Sequence, residues 1–141
     1  LDIITRTSKI MEHLTVAVLE NPRKVATYDI EQRLEMLKKV TAPYKNVEVE
    51  YYKGLLIDYA KQKNINIIVK GLRAISDFEF EFQMALINQK MDDSIETLFM
   101  MTNSKYSYLS SSIVKEIAAL GGDICKMVPP EVHEMIVEKF G

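Results

Sequence analysis

The chain alternates between short apolar runs and longer segments in which apolar residues recur at a helical spacing. Alternation of this kind is typical of an α/β domain whose parallel strands are connected by helices. The pattern predicts strands at 14–19, 47–52, 65–69 and 95–101, and helices at 2–12, 29–40, 55–62, 76–87, 111–120 and 130–140. No repeat or linker interrupts this order, so we expect residues 1–141 to form a single domain around a doubly wound parallel sheet.

The segment from Phe78 to Phe82 fits two patterns. It alternates between aromatic and acidic residues like a half-exposed strand, but when continued through Ile87 it also suits a helix that begins near Ser76 or Asp77. We favour the helix, because the whole segment exceeds the usual length of a strand and begins with a capping residue.

A run of serines followed by a lysine, from Tyr106 to Lys115, stands at the start of a predicted helix. The first turn of a helix offers unpaired backbone N–H groups and the positive end of the helix dipole, and both suit phosphate. Taken alone, the run leaves a simpler interpretation open, in which Ser111 or Ser112 only caps the helix.

A second junction suited to phosphate is Lys70-Gly71-Leu72-Arg73, which directly follows the β-branched run 65–69. Ligands of open α/β sheets bind outside the carboxyl ends of the strands, and Gly71 would let the backbone approach a ligand closely. Solvated basic residues at the end of a strand are the alternative for this motif alone. Two such junctions in one chain favour a nucleotide site.

Composition narrows the class of protein further. The 141 residues are 48% hydrophobic, and their formal net charge of −2 predicts neither a nucleic-acid partner nor an anionic membrane surface. No apolar stretch reaches the roughly 18 residues that span a bilayer. Cys125 is the single cysteine, so an intramolecular disulfide is excluded, and we expect a reduced, cytoplasmic protein.

Three stretches together identify a family. They are Gly-Leu-Leu-Ile-Asp-Tyr-Ala at 54–60, Gly-Leu-Arg-Ala-Ile-Ser-Asp-Phe-Glu-Phe-Glu at 71–81, and Tyr-Ser-Tyr-Leu-Ser-Ser-Ser-Ile-Val-Lys-Glu at 106–116. In this order and spacing, they make the chain resemble the bacterial pantetheine-phosphate adenylyltransferases over essentially all its length. The resemblance implies a Rossmann-like nucleotidyltransferase fold.

The reaction that the resemblance implies is transfer of an adenylyl group from ATP to 4′-phosphopantetheine, which gives dephospho-coenzyme A and pyrophosphate with the help of Mg²⁺. A direct displacement at phosphorus requires two anionic substrates held in line and stabilisation of the developing charge. It requires no protein nucleophile, and the sequence shows no Ser-His-Asp set or cluster of metal ligands.

The resemblance also implies roles for individual residues. Lys24 and Arg73 are the expected catalytic cations. The expected ATP-binding residues are Gly71, Leu72, Arg73, Glu81, Tyr106, Ser107, Tyr108, Leu109, Ser110, Ser111 and Ser112. The expected phosphopantetheine-binding residues are Lys24, Leu56, Lys70, Met84, Asn88 and Glu116. Lys70 stands where the family usually has an arginine, so the charge is kept but the planar guanidinium fork is lost.

The first motif of the family, a Gly-Ser/Thr-Phe-Asp-Pro loop that ends in Gly-His, would lie just before Leu1. Its histidine stabilises the transition state in the family. Neither His13, between a helix and a strand, nor His133, on the last helix, is a replacement for it. Either the protein has a strand and loop ahead of Leu1, or the chain is a truncated species that folds poorly and is severely impaired. We expect the first, because loss of a central strand would expose the hydrogen-bonding edges of its neighbours and open the core.

Two other functions stay open on the sequence. A related nucleotidyltransferase with another phosphorylated acceptor would share the serine-led helix and would differ on the acceptor side, at Lys24, Lys70, Met84 and Asn88. A binding-only module would retain nucleotide or coenzyme A without turning it over. Comparing pyrophosphate release with several acceptors distinguishes the related nucleotidyltransferase from the expected enzyme. Calorimetry that shows ligand binding while no pyrophosphate is formed would identify the binding-only module.

Family likeness further implies a homohexamer and feedback binding of coenzyme A. Exposed aromatic residues from Phe78 to Phe82 would suit contacts between subunits. The expected small-molecule partners are therefore ATP, 4′-phosphopantetheine, dephospho-coenzyme A and coenzyme A.

Overall fold

A computed structural model describes residues 1–23 and 25–141. The helices are α1 (Asp2–Ser8), α2 (Ile30–Thr41), α3 (Leu56–Gln62), α4 (Ile75–Met91), α5 (Ser111–Ala119) and α6 (Pro130–Phe140). The strands are β1 (Leu14–Leu19), β2 (Val47–Tyr52), β3 (Ile67–Leu72) and β4 (Glu96–Met101). The predicted α/β class is confirmed. Among the described helices, none is long and apolar enough to cross a membrane.

The strands form two parallel pairs. In the first pair Leu14 lies opposite Val47, and in the second Ile67 lies opposite Glu96. Between the inner strands β1 and β3 lies a cleft of about 820 Å³, lined by residues of both strands. In the described part of the chain, no ladder of backbone hydrogen bonds connects these two strands.

Helix α1 is shorter than predicted, because it ends at Ser8 and not at residue 12. The side-chain amide of Asn46 donates hydrogen bonds to the carbonyl oxygens of Ser8 (2.7 Å) and Met11 (2.9 Å). These bonds satisfy carbonyl groups at and after the end of the helix, so the chain can turn there towards β1. Asn46 lies in the segment before β2, so no pattern within residues 2–12 could predict its effect on the end of α1.

The predicted bounds of β3 were also wrong. The strand begins at Ile67 and continues through Leu72, where 65–69 had been predicted. Lys70 and Gly71 therefore lie inside the strand, opposite Phe99 and Met100 of β4. Pairing with β4 is the physical reason, since the ladder extends the strand past its β-branched run.

The ambiguous segment after β3 is a helix, as favoured. However, its N-cap is Ala74, whose side chain makes no capping bond, so the predicted cap at Ser76 or Asp77 was wrong. The side chain of Phe78 packs against Phe82 and against Phe99 of β4, with ring centroids 5.5 and 5.8 Å apart. Contact with the strand thus anchors a helix that lacks a side-chain cap.

Helix α5 has well-defined signals at both ends. Its N-cap is Ser110, not Ser111 or Ser112, and the Ser110 hydroxyl accepts a hydrogen bond from the Ile113 N–H at 3.2 Å. At the other end, Gly121 adopts φ +73°, a conformation that favours glycine. The N–H groups of Gly121 and Gly122 then bond to carbonyls of the last turn, which is a Schellman motif and confirms the predicted stop.

Two small clusters of buried side chains form the core. Ile57, Ala60, Ile68 and Ile95 pack between α3 and the second strand pair. Val114, Ala118 and Ile124 pack between α5 and α6.

Helix α1 connects the second strand pair to the segment before β2. The Asp2 carboxylate accepts a hydrogen bond from the Asn103 N–H at 3.0 Å, just after β4. The Arg6 guanidinium donates to the Met101 carbonyl at 2.6 Å, and it also lies 3.2 Å from Asp2. Together with the Asn46 bonds, these contacts fix α1 between the two pairs.

We predict that Asp2→Asn lowers the free energy of unfolding by about 1 kcal/mol near neutral pH and by less in acid. The Asn103 N–H, and after it the Arg6 guanidinium, hold the pKa of the Asp2 carboxyl below its ordinary value. Its contribution to stability is therefore present above the ordinary pKa and is lost as the pH falls through the folded-state pKa.

Urea denaturation across this pH range measures the effect. Asp93→Asn, a change at an exposed aspartate three residues before β4 begins, is the matched control and should alter stability little at either pH. A loss for Asp2→Asn that stays constant with pH would contradict the assignment.

Candidate functional site

The side chain of Arg73 joins the end of β3 to the segment before α5. Its Nη1 donates a hydrogen bond to the Leu109 carbonyl at 2.6 Å, and its Nε donates to Asp77 Oδ2 at 3.3 Å. The guanidinium is partly exposed and has further N–H donors. It is therefore fixed by the protein while it keeps donors for an anion.

The start of α5 lies next to Arg73. Because the Ser110 hydroxyl caps the Ile113 N–H, the backbone N–H groups of Ser111 and Ser112 in the first turn have no intrahelical partner. Both serines are exposed. An anion at this point would meet the positive end of the helix dipole, backbone donors and the Arg73 guanidinium together.

These groups line a cavity of about 400 Å³. Arg73, Ser110 and Ser111 form its polar side. The apolar side consists of Leu109, Val114, Met127, Val128, Ile136 and Phe140, from the core between α5 and α6. A second cavity of about 740 Å³ shares Arg73 and Leu109 and extends to Asn103 and Tyr106. The combination of an apolar wall and a few convergent polar groups is typical of a small-molecule site.

Three residues at this cavity were given no role from the resemblance, although one of them, Lys115, ends the serine run that was predicted to suit phosphate. Lys115 Nζ donates to the Thr27 hydroxyl at 3.0 Å, and both line the cavity together with Tyr28. Burial raises the pKa of the Tyr28 phenol, whose hydroxyl donates to the Met135 carbonyl at 3.3 Å. Lys115 lies one helical turn after Ser111, so its spacing on α5 could have predicted that it lies at the site. Residues 27–28 reach the cavity through tertiary packing alone, which no local pattern predicts.

The residues predicted on the acceptor side lie elsewhere. Lys70 Nζ is 3.8 Å from Glu81 Oε2, and Lys70 and Leu56 line the cleft between β1 and β3. Glu81, Met84 and Asn88 follow one another at helical spacing on α4 and so share a face of it. The predicted site thus divides into a group around Arg73 and a group around Lys70.

Gly71 has a packing role that the sequence analysis did not anticipate. A Cβ atom at this position would lie 2.8 Å from Ile3 Cγ1 of α1. The absence of a side chain at Gly71 therefore lets α1 pack on β3, which is a different reason from the predicted approach of a ligand.

Several predicted residues do not line the cavities described above. Ser107 donates its hydroxyl to the Ser104 carbonyl at 2.8 Å and so stabilises the 3-10 turn Ser104–Tyr106. Tyr108 is 62% exposed, and Ser112 and Glu116 face solvent on α5. Leu72 is half-buried, and its carbonyl accepts a bond from the Thr102 N–H. The prediction for Lys24 concerns a residue outside the described ranges.

Comparison with known proteins gives two findings. Residues 1–117 match the model of a family described as cytidylyltransferase-like. The phosphopantetheine adenylyltransferase of Caldanaerobacter subterraneus subsp. tengcongensis is 54% identical over 140 residues, which are 99% of this chain and 88% of that protein. The phosphopantetheine adenylyltransferase of Clostridium botulinum strain Hall is 54% identical over 140 residues, or 99% of this chain and 85% of that protein.

The parallel α/β fold, with a fixed guanidinium facing a serine-capped helix start, and the family match define the class. The chain belongs to the cytidylyltransferase-like nucleotidyltransferases and, within them, to the phosphopantetheine adenylyltransferase family.

We predict that Arg73→Lys increases amide hydrogen exchange at Leu109 and Ile113, whose N–H groups bond to the Tyr106 carbonyl and the Ser110 hydroxyl, several-fold while the strands keep their protection. A lysine ammonium keeps the charge but cannot bond to Leu109 and Asp77 at once in the geometry of the fork. Hydrogen exchange followed by mass spectrometry measures this. Lys105→Arg, a charge-conserving change at an exposed lysine near the same loop, is the control. Exchange that is unchanged in Arg73→Lys would show that the Leu109 bond does not hold the loop.

Proposed function

We propose that this protein transfers the adenylyl group of ATP to 4′-phosphopantetheine and releases dephospho-coenzyme A and pyrophosphate. The observation that carries the proposal is the convergence of Arg73 and the start of α5 on one cavity with an apolar wall. The two relatives named above, each called phosphopantetheine adenylyltransferase, support the same reaction.

In this reaction a phosphate oxygen of phosphopantetheine attacks the α-phosphorus of ATP, and the bond from that phosphorus to the pyrophosphate oxygen breaks. Negative charge grows on the oxygens around the α-phosphorus and on the leaving pyrophosphate. The donors that suit this charge are the Arg73 guanidinium, the N–H and hydroxyl groups of Ser111 and the N–H group of Ser112. Since Leu109 and Asp77 already orient Arg73, little reorganisation of its side chain is required when the charge develops.

We assign the triphosphate to the polar side of the cavity and the adenine ring to its apolar side. A base presents a flat apolar face and a few polar edges, which fits a wall built from Leu109, Val128, Ile136 and Phe140. Lys115 lies within the same cavity and adds a second cation to the phosphate side. On the acceptor side, we assign the phosphate of phosphopantetheine to Lys70 and, outside the described residues, to Lys24.

Magnesium is proposed as the metal that accompanies ATP. Mg²⁺ prefers oxygen ligands and often enters an active site through substrate phosphates with few protein ligands. Among the described residues that line the cavity at α5, several offer hydroxyl oxygens and none offers a carboxylate. This lining fits a metal that is held mainly by the phosphates, and when bound it would neutralise their charge.

We further propose a homohexamer in the cytoplasm that coenzyme A inhibits. Phe78, Phe80 and Phe82 are 41, 62 and 47% exposed on α4, which supports an association surface there. Coenzyme A contains the pantetheine arm and the adenine nucleotide of the product, so it can occupy both groups of the divided site. The free thiol of Cys125 agrees with a reducing compartment.

We predict that Arg73→Ala in the full-length protein lowers kcat/KM by about 100-fold or more, and that Ser111→Ala lowers it by about tenfold. Arg73 supplies a charged donor, whereas Ser111 supplies a hydroxyl beside backbone donors that remain. Pyrophosphate release coupled to a colour reaction measures turnover, and circular dichroism confirms that each variant is folded.

The control is Ser104→Ala, because Ser104 is exposed in the 3-10 turn and lies outside the assigned site. It should leave turnover unchanged. Unchanged turnover in both Arg73→Ala and Ser111→Ala would remove the basis of the assignment. Binding of ATP without any pyrophosphate release by the full-length protein would instead identify a binding-only module.

We predict that Lys70→Ala raises the KM for phosphopantetheine by about tenfold or more and leaves the KM for ATP unchanged. Lys70 is separated from the ATP group around Arg73 and has a carboxylate partner, Glu81, at 3.8 Å. Lys70→Arg restores a planar fork and should recover most of the acceptor affinity. Initial rates with each substrate varied in turn distinguish these outcomes. A rise in the KM for ATP alone would place Lys70 on the nucleotide side.

A further inference from the structure

Three side chains of different chemistry converge outside the cavity assigned to ATP, and one of them, Cys125, also lines the second cavity that shares Arg73. Asp123 and Cys125 lie in the loop between α5 and α6, and His133 lies on α6. One ligand atom from each, a carboxylate oxygen, Sγ and a ring nitrogen, all lie within 4.8 Å of one another. Cys125 Sγ is 3.3 Å from His133 Nε2.

The spacing is close to what a tetrahedral zinc ion requires. Zinc binds thiolate sulfur at about 2.3 Å and imidazole nitrogen at about 2.0–2.1 Å, so sulfur and nitrogen ligands of one ion lie about 3.5 Å apart. The observed 3.3 Å needs only a small outward movement of two side chains at the surface. The Asp123 carboxylate has one oxygen, Oδ1, that accepts a hydrogen bond from the Cys125 N–H at 2.8 Å. The carboxylate also has a side-chain hydrogen bond with the Cys125 thiol, which a bound cation would replace when the thiol loses its proton.

The backbone around the cluster is held by the core. Ile124, between Asp123 and Cys125, is completely buried against α5. Val132, next to His133, is 8% exposed. Buried neighbours on both elements fix the positions of the ligand residues, while the ligand side chains reach the surface. Such a site is accessible to a metal ion and largely preorganised.

We propose that Asp123, Cys125 and His133 bind one zinc ion and leave the fourth position to water. A thiolate and an imidazole suit zinc, whereas Mg²⁺ prefers oxygen ligands. The site is therefore separate in place and in metal preference from the magnesium assigned to ATP. The ammonium group of Lys126, which follows Cys125 and is exposed, opposes a cation electrostatically but can extend into solvent.

Zinc titration of the full-length, chelator-treated protein tests the proposal. Calorimetry is expected to show one equivalent of zinc bound per chain, and cobalt is expected to give a thiolate-to-metal charge-transfer absorption. Cys125→Ser should abolish that absorption, and Cys125→Ser, His133→Gln and Asp123→Asn should each weaken zinc binding at least about tenfold. Circular dichroism and thermal melts check the fold, which these surface substitutions should preserve.

The matched control is His13→Gln. His13 is the other histidine of the chain and lies 2.9 Å from the Glu48 carboxylate, so it forms a second exposed histidine–carboxylate pair. The control should bind zinc as the unchanged protein does. Absence of saturable binding, retention of full affinity in Cys125→Ser or His133→Gln, or loss of binding in His13→Gln would overturn the proposal. None of these results depends on adenylyl transfer.

Discussion

Parallel pairing of β3 with β4 is the constraint on which the candidate site depends. Because parallel strands run in the same direction, their carboxyl ends lie at the same edge of the sheet. Arg73 leaves β3 at this edge, and the segment from Thr102 that leads to α5 leaves β4 beside it. The Thr102 N–H bonds to the Leu72 carbonyl and continues the ladder to the point where the two segments separate. A guanidinium and a helix start that are distant in sequence are thereby brought together.

Arg73 has a structural role beside the ligand-binding role proposed for it. Its bonds to Asp77 and Leu109 hold the loop before α5, and its remaining donors face the cavity. A lysine in this position could not hold the loop through Asp77 and Leu109 and also offer donors to an anion in the cavity. The chain uses an ammonium at Lys70 instead, where one contact to Glu81 at 3.8 Å leaves the side chain more freedom. Rigid charge therefore lies on the proposed nucleotide side, and adaptable charge lies on the proposed acceptor side.

Local signals in the sequence predicted the elements whose ends are determined locally. Asp29 and Gln32 form the predicted capping box, with bonds of 2.8 and 3.2 Å, and β1 and β2 have the predicted bounds. Where a residue or strand distant in sequence determines the end of an element, the local sequence pattern predicted that end wrongly. The Asn46 side chain bonds to carbonyls at the end of α1, and pairing with β4 extends β3 through Leu72.

The same distinction applies to the site. From the motifs at 70–73 and 106–112, Arg73, Ser110 and Ser111 form the polar side of the cavity, and they were predictable because a cation, serines and a helix start are local features. Its apolar wall comes partly from α6, through Ile136 and Phe140, and no motif connects that helix to the nucleotide. The cluster of Asp123, Cys125 and His133 was also missed, because the His133 contact forms only when α6 packs back onto the loop.

Helix α1 has a consequence for how the molecule unfolds. Helix α1 bonds to the end of β4 on one side and to Asn46 and Tyr44 on the other, and Tyr28 connects the region before α2 to α6. A few side-chain bonds of short helices therefore link segments that are far apart in the chain. Loss of the α1 bonds is expected to loosen the end of β4 and the segment before β2 together, since one short helix holds both.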